Sequence, residues 1–225
     1  MKMKTFFLLT GVITGIFLMT PADAAPADST RLDSVLLKGT WLSGLNGYLA
    51  STSQNSGLGS GSWGDFINNY NFEIKTGVVH SRRIATGLFL NAQRISNEGN
   101  GTYESDLLGT GIWSRYFIGS MPYGRFYPEI SVFYANFHEQ RNISFGNFAA
   151  TESLSGQGVG LKTLIGFMYF VNRNIGLDVN YGAQITEIWG KQIDFGNNEP
   201  YRVTAGRVSV IFSFGFVVML NEFFF

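Results

Sequence analysis

The chain has two histidines and no cysteine. Thiol nucleophiles, cysteine-ligated metals, disulfides and a lipidated N-terminal cysteine are therefore excluded. Acyl-transfer chemistry would have to rest on serine and histidine. The hydroxyl must stand within hydrogen-bond reach of the imidazole. On one strand, the spacing that puts both on the same face is i and i+2. Neither histidine has it: Gln140 follows His138 at that distance, and Arg82 follows His80. Ser144 or Ser153 reaches His138 only through the folding of a loop. His138, next to Glu139, reads as an ordinary rim residue and His80 as part of a turn. Ser51 to Gly64 is rich in glycine but lacks the Lys-Ser/Thr pair of a phosphate loop. No resident cofactor or metal is implied.

The charges with positional meaning are Glu73, Lys75, Arg115, Glu129, Lys162 and Asp178, because each falls inside a segment of alternating apolar residues. What they do depends on the elements that carry them. Charged residues make up 14% of the chain and aromatics 16%, with 28 glycines. A soluble domain carries about 25% charge, so this composition fits an all-β protein in a membrane better than a soluble enzyme. Net charge is +0, which leaves no basic field for nucleic acid.

The first residues read as an export signal. Lys2 and Lys4 precede an apolar run from Phe6 to Met19, and Ala22-Asp23-Ala24 is a small-x-small cleavage site. Cleavage falls between Ala24 and Ala25, giving a signal peptide over 1–24. The run is too short for a membrane-spanning helix, and Pro21 follows it. Residues 25–34 form a short polar periplasmic lead, and 35–225 the folded domain. No later stretch holds ~18 uninterrupted apolar residues, so membrane entry after export requires a closed β-barrel.

The segment from Val208 to Leu220 sets the pattern. Val208, Val210, Phe212, Phe214, Phe216, Val218 and Leu220 share one parity, whereas Arg207, Ser209, Ser213 and Gly215 share the other. Side chains that alternate this way point to opposite faces of a strand. Seven earlier segments do the same: about 36–50, 69–79, 83–95, 107–118, 125–137, 155–170 and 174–189. In the second, Tyr70, Phe72, Ile74 and Val78 oppose Asn71, Glu73, Lys75 and Gly77. In the seventh, Ile175, Leu177, Val179, Tyr181 and Ile185 oppose Gly176, Asp178, Asn180 and Gln184. Pro128 in the fifth is tolerable near a strand end or bulge. The connections alternate long and short: polar loops over 51–68, 96–105, 138–152 and 190–201, and tight turns at 80–82, 119–124 and 171–173. Outer-membrane barrels have that rhythm, with short periplasmic turns and longer outer loops. Strands of ~12–16 residues tilted about 40° outreach a ~25 Å apolar band, so their outer ends should project beyond the membrane.

An eight-stranded antiparallel up-and-down transmembrane β-barrel is the predicted fold. The chain resembles the small bacterial outer-membrane barrels of the OmpX, OmpW and OmpA-transmembrane-domain type. The resemblance rests on the loop rhythm, on Gly111-x-x-x-Arg115-Tyr116-Phe117 with Phe126-Tyr127-Pro128-Glu129, and on the aromatic last strand with terminal Phe225. It implies outer-membrane lipids and lipopolysaccharide as surroundings, a monomer, and barrel-assembly machinery that reads Phe225. Parity conflicts with that last point, since Glu222 would face lipid while Phe225 points inward. A frayed end, or a bulge around Asn221 and Glu222, resolves the conflict. The acids Asp28, Asp33, Asp65, Glu98, Glu104, Asp106, Asp194 and Glu199 are scattered without calcium-loop spacing. They read as solvated charge, with ions bridging lipopolysaccharide phosphates as the alternative.

Parity puts Glu73, Lys75, Arg115, Glu129, Lys162 and Asp178 inside the barrel: three cations and three anions, a neutral layer. Arg115 and Glu129 are equidistant from Pro122, so a symmetric hairpin sets them opposite each other. Pairing is the expected outcome, because an unpaired charge in that space is expensive. The functional expectation is a non-enzymatic outer-membrane protein with a closed lumen that supports the envelope or presents its outer loops. A narrow channel for small solutes is the first alternative and a lipid-modifying enzyme the second. Conductance separates the first two, and the lipid A profile separates the third.

Overall fold

The computed structural model describes residues 36–55, 69–98, 101–119, 121, 123–145, 148–194 and 197–220. The signal peptide, the periplasmic lead, the cleavage site at Ala24 and Ala25, and the questions attached to Asn221, Glu222 and Phe225 lie outside them. The strands are β1 (Trp41–Asn55), β2 (Asn69–Ser81), β3 (Ile84–Glu98), β4 (Gly101–Tyr116), β5 (Gly124–Phe145), β6 (Phe148–Phe170), β7 (Ile175–Asp194) and β8 (Asn197–Leu220). Each pairs antiparallel with the next, and β8 pairs with β1 from Trp41↔Leu220 to Asn55↔Gly206, which closes the ring. From Trp41 to Gly47, β1 is paired on both sides, which leaves no open sheet edge there, the condition for β-structure in lipid; beyond Gly47 its described partner is β8.

The alternation read in the sequence is the alternation of the walls. Phe212, Phe214 and Phe216 stand on the outside of β8, with Arg207, Ser209 and Ser213 buried inside. Phe72, Ile74, Leu88, Leu90, Ile112, Val132, Ile165 and Tyr181 continue the apolar outer wall on other strands. Inside, the barrel is packed with side chains, as the diameter of an eight-stranded ring allows. Aromatic rings fill the lumen where glycines face them. A Cβ at Gly160 would run into the Phe133 ring, and one at Gly166 into Tyr127. Phe133 meets Phe89 edge-on, with ring centroids 6.0 Å apart. At the turn end, Leu36 is buried in the same cluster as Leu42, Val79 and Met219, so the chain just before β1 helps to fill that end.

Three loops expected from polarity are largely strand. β3 runs to Glu98 and β4 starts at Gly101; β5 runs to Phe145 and β6 starts at Phe148; β7 runs to Asp194 and β8 starts at Asn197. β1 likewise continues to Asn55. The reason is physical: above the lipid the ladder hydrogen bonds persist while the outer face meets water and the inner face buries polar residues such as Ser105, Glu139 and Gln192. Polarity there reports solvent, not the end of a strand. In the other direction β4 stops at Tyr116, short of the expected Ile118, which forms only an isolated bridge to Phe126. Pro128 lies just past the last β4–β5 pair, Arg115↔Glu129, on the turn side.

Candidate functional site: a charged layer across the lumen

The six charges singled out by parity all point inward and are all buried, none more than 5% exposed. β2 supplies Glu73 and Lys75 from adjacent inward positions; β4, β5, β6 and β7 supply Arg115, Glu129, Lys162 and Asp178. They touch in one chain of alternating sign. Lys162 bonds Glu73. Glu73 Oε1 lies 3.0 Å from Lys75 Nζ, and that ammonium donates to Glu129 Oε1 at 2.5 Å. Arg115 donates to Glu129 Oε2 through Nε and Nη2 at 3.0 and 2.8 Å. The same Nη2 reaches Asp178 Oδ2 at 2.9 Å. β2 and β6 lie four strands apart either way round the ring, so the Lys162–Glu73 contact crosses the barrel.

Other side chains hold the layer in place. Tyr127 donates its phenol to Asp178, and Ser131 donates to Glu129 Oε1 at 3.3 Å. The Arg115 guanidinium stacks 3.7 Å from the centre of the Tyr127 ring, and Lys162 sits 4.5 Å from that of Phe89. A cation packed on an aromatic face gains electrostatic attraction that water would otherwise screen. Tyr127 is the member that sequence reading missed. Its parity matches that of Glu129, so the signal was there, but a phenol carries no formal charge to draw attention.

The lumen also holds charge beyond the six. Arg125 is buried at the turn end, where it donates to the carbonyl of Met121 at 2.5 Å. Glu139 and Arg207 are buried towards the loop end. Glu139 is thus an inward residue of β5 and not part of an open rim.

The histidines are exposed on the outer wall. His80 Nε2 lies 2.5 Å from Thr86 Oγ1. His138 Nδ1 lies 2.7 Å from Ser155 Oγ. Ser155 is the cross-strand partner of His138, so the ladder, not a loop, brings serine to histidine. Neither Ser144 nor Ser153 is paired with it: they oppose Ala149 and Gln140. On the other side of His138 in the sheet stands Asp106, whose carboxylate lies 3.8 Å from Arg94 Nε. Among the described residues, no three His, Asp or Glu side chains converge as a metal site would require.

This closed, lipid-faced ring with a polar interior has the fold of the small eight-stranded outer-membrane β-barrels. The outer membrane protein OprG from Pseudomonas aeruginosa superposes with a TM-score of 0.51 at 13% identity, over 85% of this chain and 100% of OprG. The outer membrane protein AlkL is similar at 0.48 and 16% identity, over 90% of this chain and 98% of that one. Ail, the attachment invasion locus protein of Yersinia pestis, is similar at 0.44 and 11% identity, over 80% and 99%. No protein-family model matches the chain, and neither does any curated protein.

Proposed function

We propose that the protein is an integral outer-membrane barrel without enzymatic activity, exported with a cleaved signal peptide. It stiffens the envelope, or presents the upper wall of its strands to partners, while its lumen stays closed. The observation that carries this reading is the Lys162–Glu73 contact, which ties opposite walls together through the middle of the barrel. Conduction past it would require parting charges that are already desolvated and paired, and leaving them unpaired costs several kcal/mol. The apolar outer wall supports lipid and lipopolysaccharide as surroundings. Recognition of Phe225 by assembly machinery and a monomeric state belong to the same reading.

The test is electrical. Purified barrel in planar bilayers should give no steady current under an applied potential. A steady, ohmic current from unmodified protein would overturn the closed lumen and put the narrow-channel reading in its place.

The enzymatic reading has one foothold, the His138–Ser155 hydrogen bond, beside a groove that includes Phe72 and Leu108. A serine hydrolase also needs a group that orients the histidine and donors for the oxyanion. Asp106 is set against Arg94. The pair is read as a cross-strand surface hydrogen bond.

A further inference from the structure

The charged layer satisfies its own members. Nearer the loop end, Arg207 is different. It points inward from β8 between Thr186 on β7 and Gln54 on β1, and is 1% exposed. Nε, Nη1 and Nη2 all lack a hydrogen-bond partner among the described residues. The guanidinium lies 5.7 Å from the centre of the Phe137 ring, a contact that leaves its N–H edge unused. The titratable groups close enough to act on it electrostatically are Tyr103, Tyr48 and Glu139. Glu139 accepts a hydrogen bond from Tyr103. Around the same part of the lumen, the Asn71 amide, Asn91 Oδ1 and Gln93 Nε2 also lack hydrogen-bond partners among the described residues.

A buried guanidinium without acceptors is one of the most costly groups a fold can hold. Its N–H groups form a planar fork that fits two oxygens of one carboxylate or phosphate. We propose that the loop-end half of the lumen is a binding site for a small oxyanion, with Arg207 as the fork and the Phe137 ring backing it. The Tyr48 hydroxyl and the Gln93 amide are the neighbouring donors for the remaining oxygens. The site would take a carboxylate or a phosphate group in preference to chloride, which offers one atom where the fork's two parallel N–H groups match two oxygens. It does not depend on whether the layer nearer the turns seals the lumen.

The experiment follows the arginine Nε–Hε resonances of the full mature barrel, labelled with 15N, in micelles. Inorganic phosphate, acetate and chloride are titrated separately at constant ionic strength. Arg207→Lys assigns the resonance by removing it, and Arg207→Gln serves if that variant does not fold. The Arg207 signal should shift and saturate with phosphate or acetate, the stronger of the two identifying the preferred oxyanion. Chloride should leave it unmoved. The same anion should raise the unfolding temperature of the unmodified protein and not that of the variant. Equal, unsaturating shifts with all three salts would overturn the site, as would equal thermal stabilisation of protein and variant. So would a resonance that ignores added anions but moves in Glu139→Gln, which would make a carboxylate of the chain its partner.

Discussion

Arg115 and Glu129 face each other across the β4–β5 ladder, and the guanidinium grips Glu129 Oε2 through Nε and Nη2 at 3.0 and 2.8 Å. Glu129 also takes the Lys75 ammonium on its other oxygen at 2.5 Å. One carboxylate therefore joins two cations, and it is the middle link of the chain of pairs.

Replacing that carboxylate should be severe. Glu129→Ala leaves Arg115 short of one acceptor and Lys75 with only Glu73, both in a buried setting. Removing one partner of a buried pair costs about 3–5 kcal/mol. Urea unfolding of the refolded barrel should show a loss of that size. A change below about 1 kcal/mol would mean that water reaches the layer and solvates it.

The outer wall has its own test. Phe214 is 60% exposed on the lipid face, whereas Ser213 is buried and donates to Asn180 Oδ1 at 2.8 Å. Phe214→Arg should cost about 2–4 kcal/mol near the bilayer midplane. Ser213→Thr keeps the hydroxyl and should be mild. Folding titrations in lipid vesicles compare the two directly, and equal small effects would contradict a membrane-spanning β8.

Gly166 tests the packing under the layer. A methyl group there would collide with the Tyr127 ring, whose phenol holds Asp178 and whose face supports Arg115. Gly166→Ala should destabilise by about 1–3 kcal/mol through overpacking. Tyr127→Phe keeps the ring and loses the hydrogen bond, so the two variants separate volume from polarity. Stabilities measured by the same unfolding series should rank Gly166→Ala as the worse of the pair.

The outward Ser155–His138 pair should be chemically inert. A fluorophosphonate probe, which captures activated serines, should label the protein no more than it labels Ser155→Ala. The lipid A profile of expressing cells should be unchanged by His138→Ala. Labelling that requires both residues would restore the enzymatic alternative.

Much of this was legible in the residues. Period-two alternation suffices to place Glu73, Lys75, Arg115, Glu129, Lys162 and Asp178 in the lumen, because a strand has only two faces. Symmetry about the turn suffices to oppose Arg115 to Glu129. Contacts across the lumen were not legible. Lys162 meets Glu73 because β6 and β2 are diametrically placed, a relation that depends on strand stagger as well as order. The serine beside His138 is neither on its own strand nor in the adjoining loop but across the ladder on β6. The cause is shared with the misread loops, since His138 begins the polar stretch 138–152, where the ladder in fact continues and pairs it with Ser155. Arg207 was on the polar parity from the start, but its lack of an acceptor is a property of three dimensions.

The described strands differ in length. β5 to β8 have 22, 23, 20 and 24 residues, against 15, 13, 15 and 16 for β1 to β4. On the loop side of the β1–β8 pair Asn55↔Gly206, β8 continues to Asn197 and stays paired with β7 up to Asp194, so among the described residues the β7–β8 hairpin stands as a ribbon of paired strands. A molecule that grips this parapet meets side chains already held in register, so little chain entropy is lost when the complex forms. Recognition there would be rigid, with affinity set by the fit of a fixed relief rather than by the ordering of a loose loop.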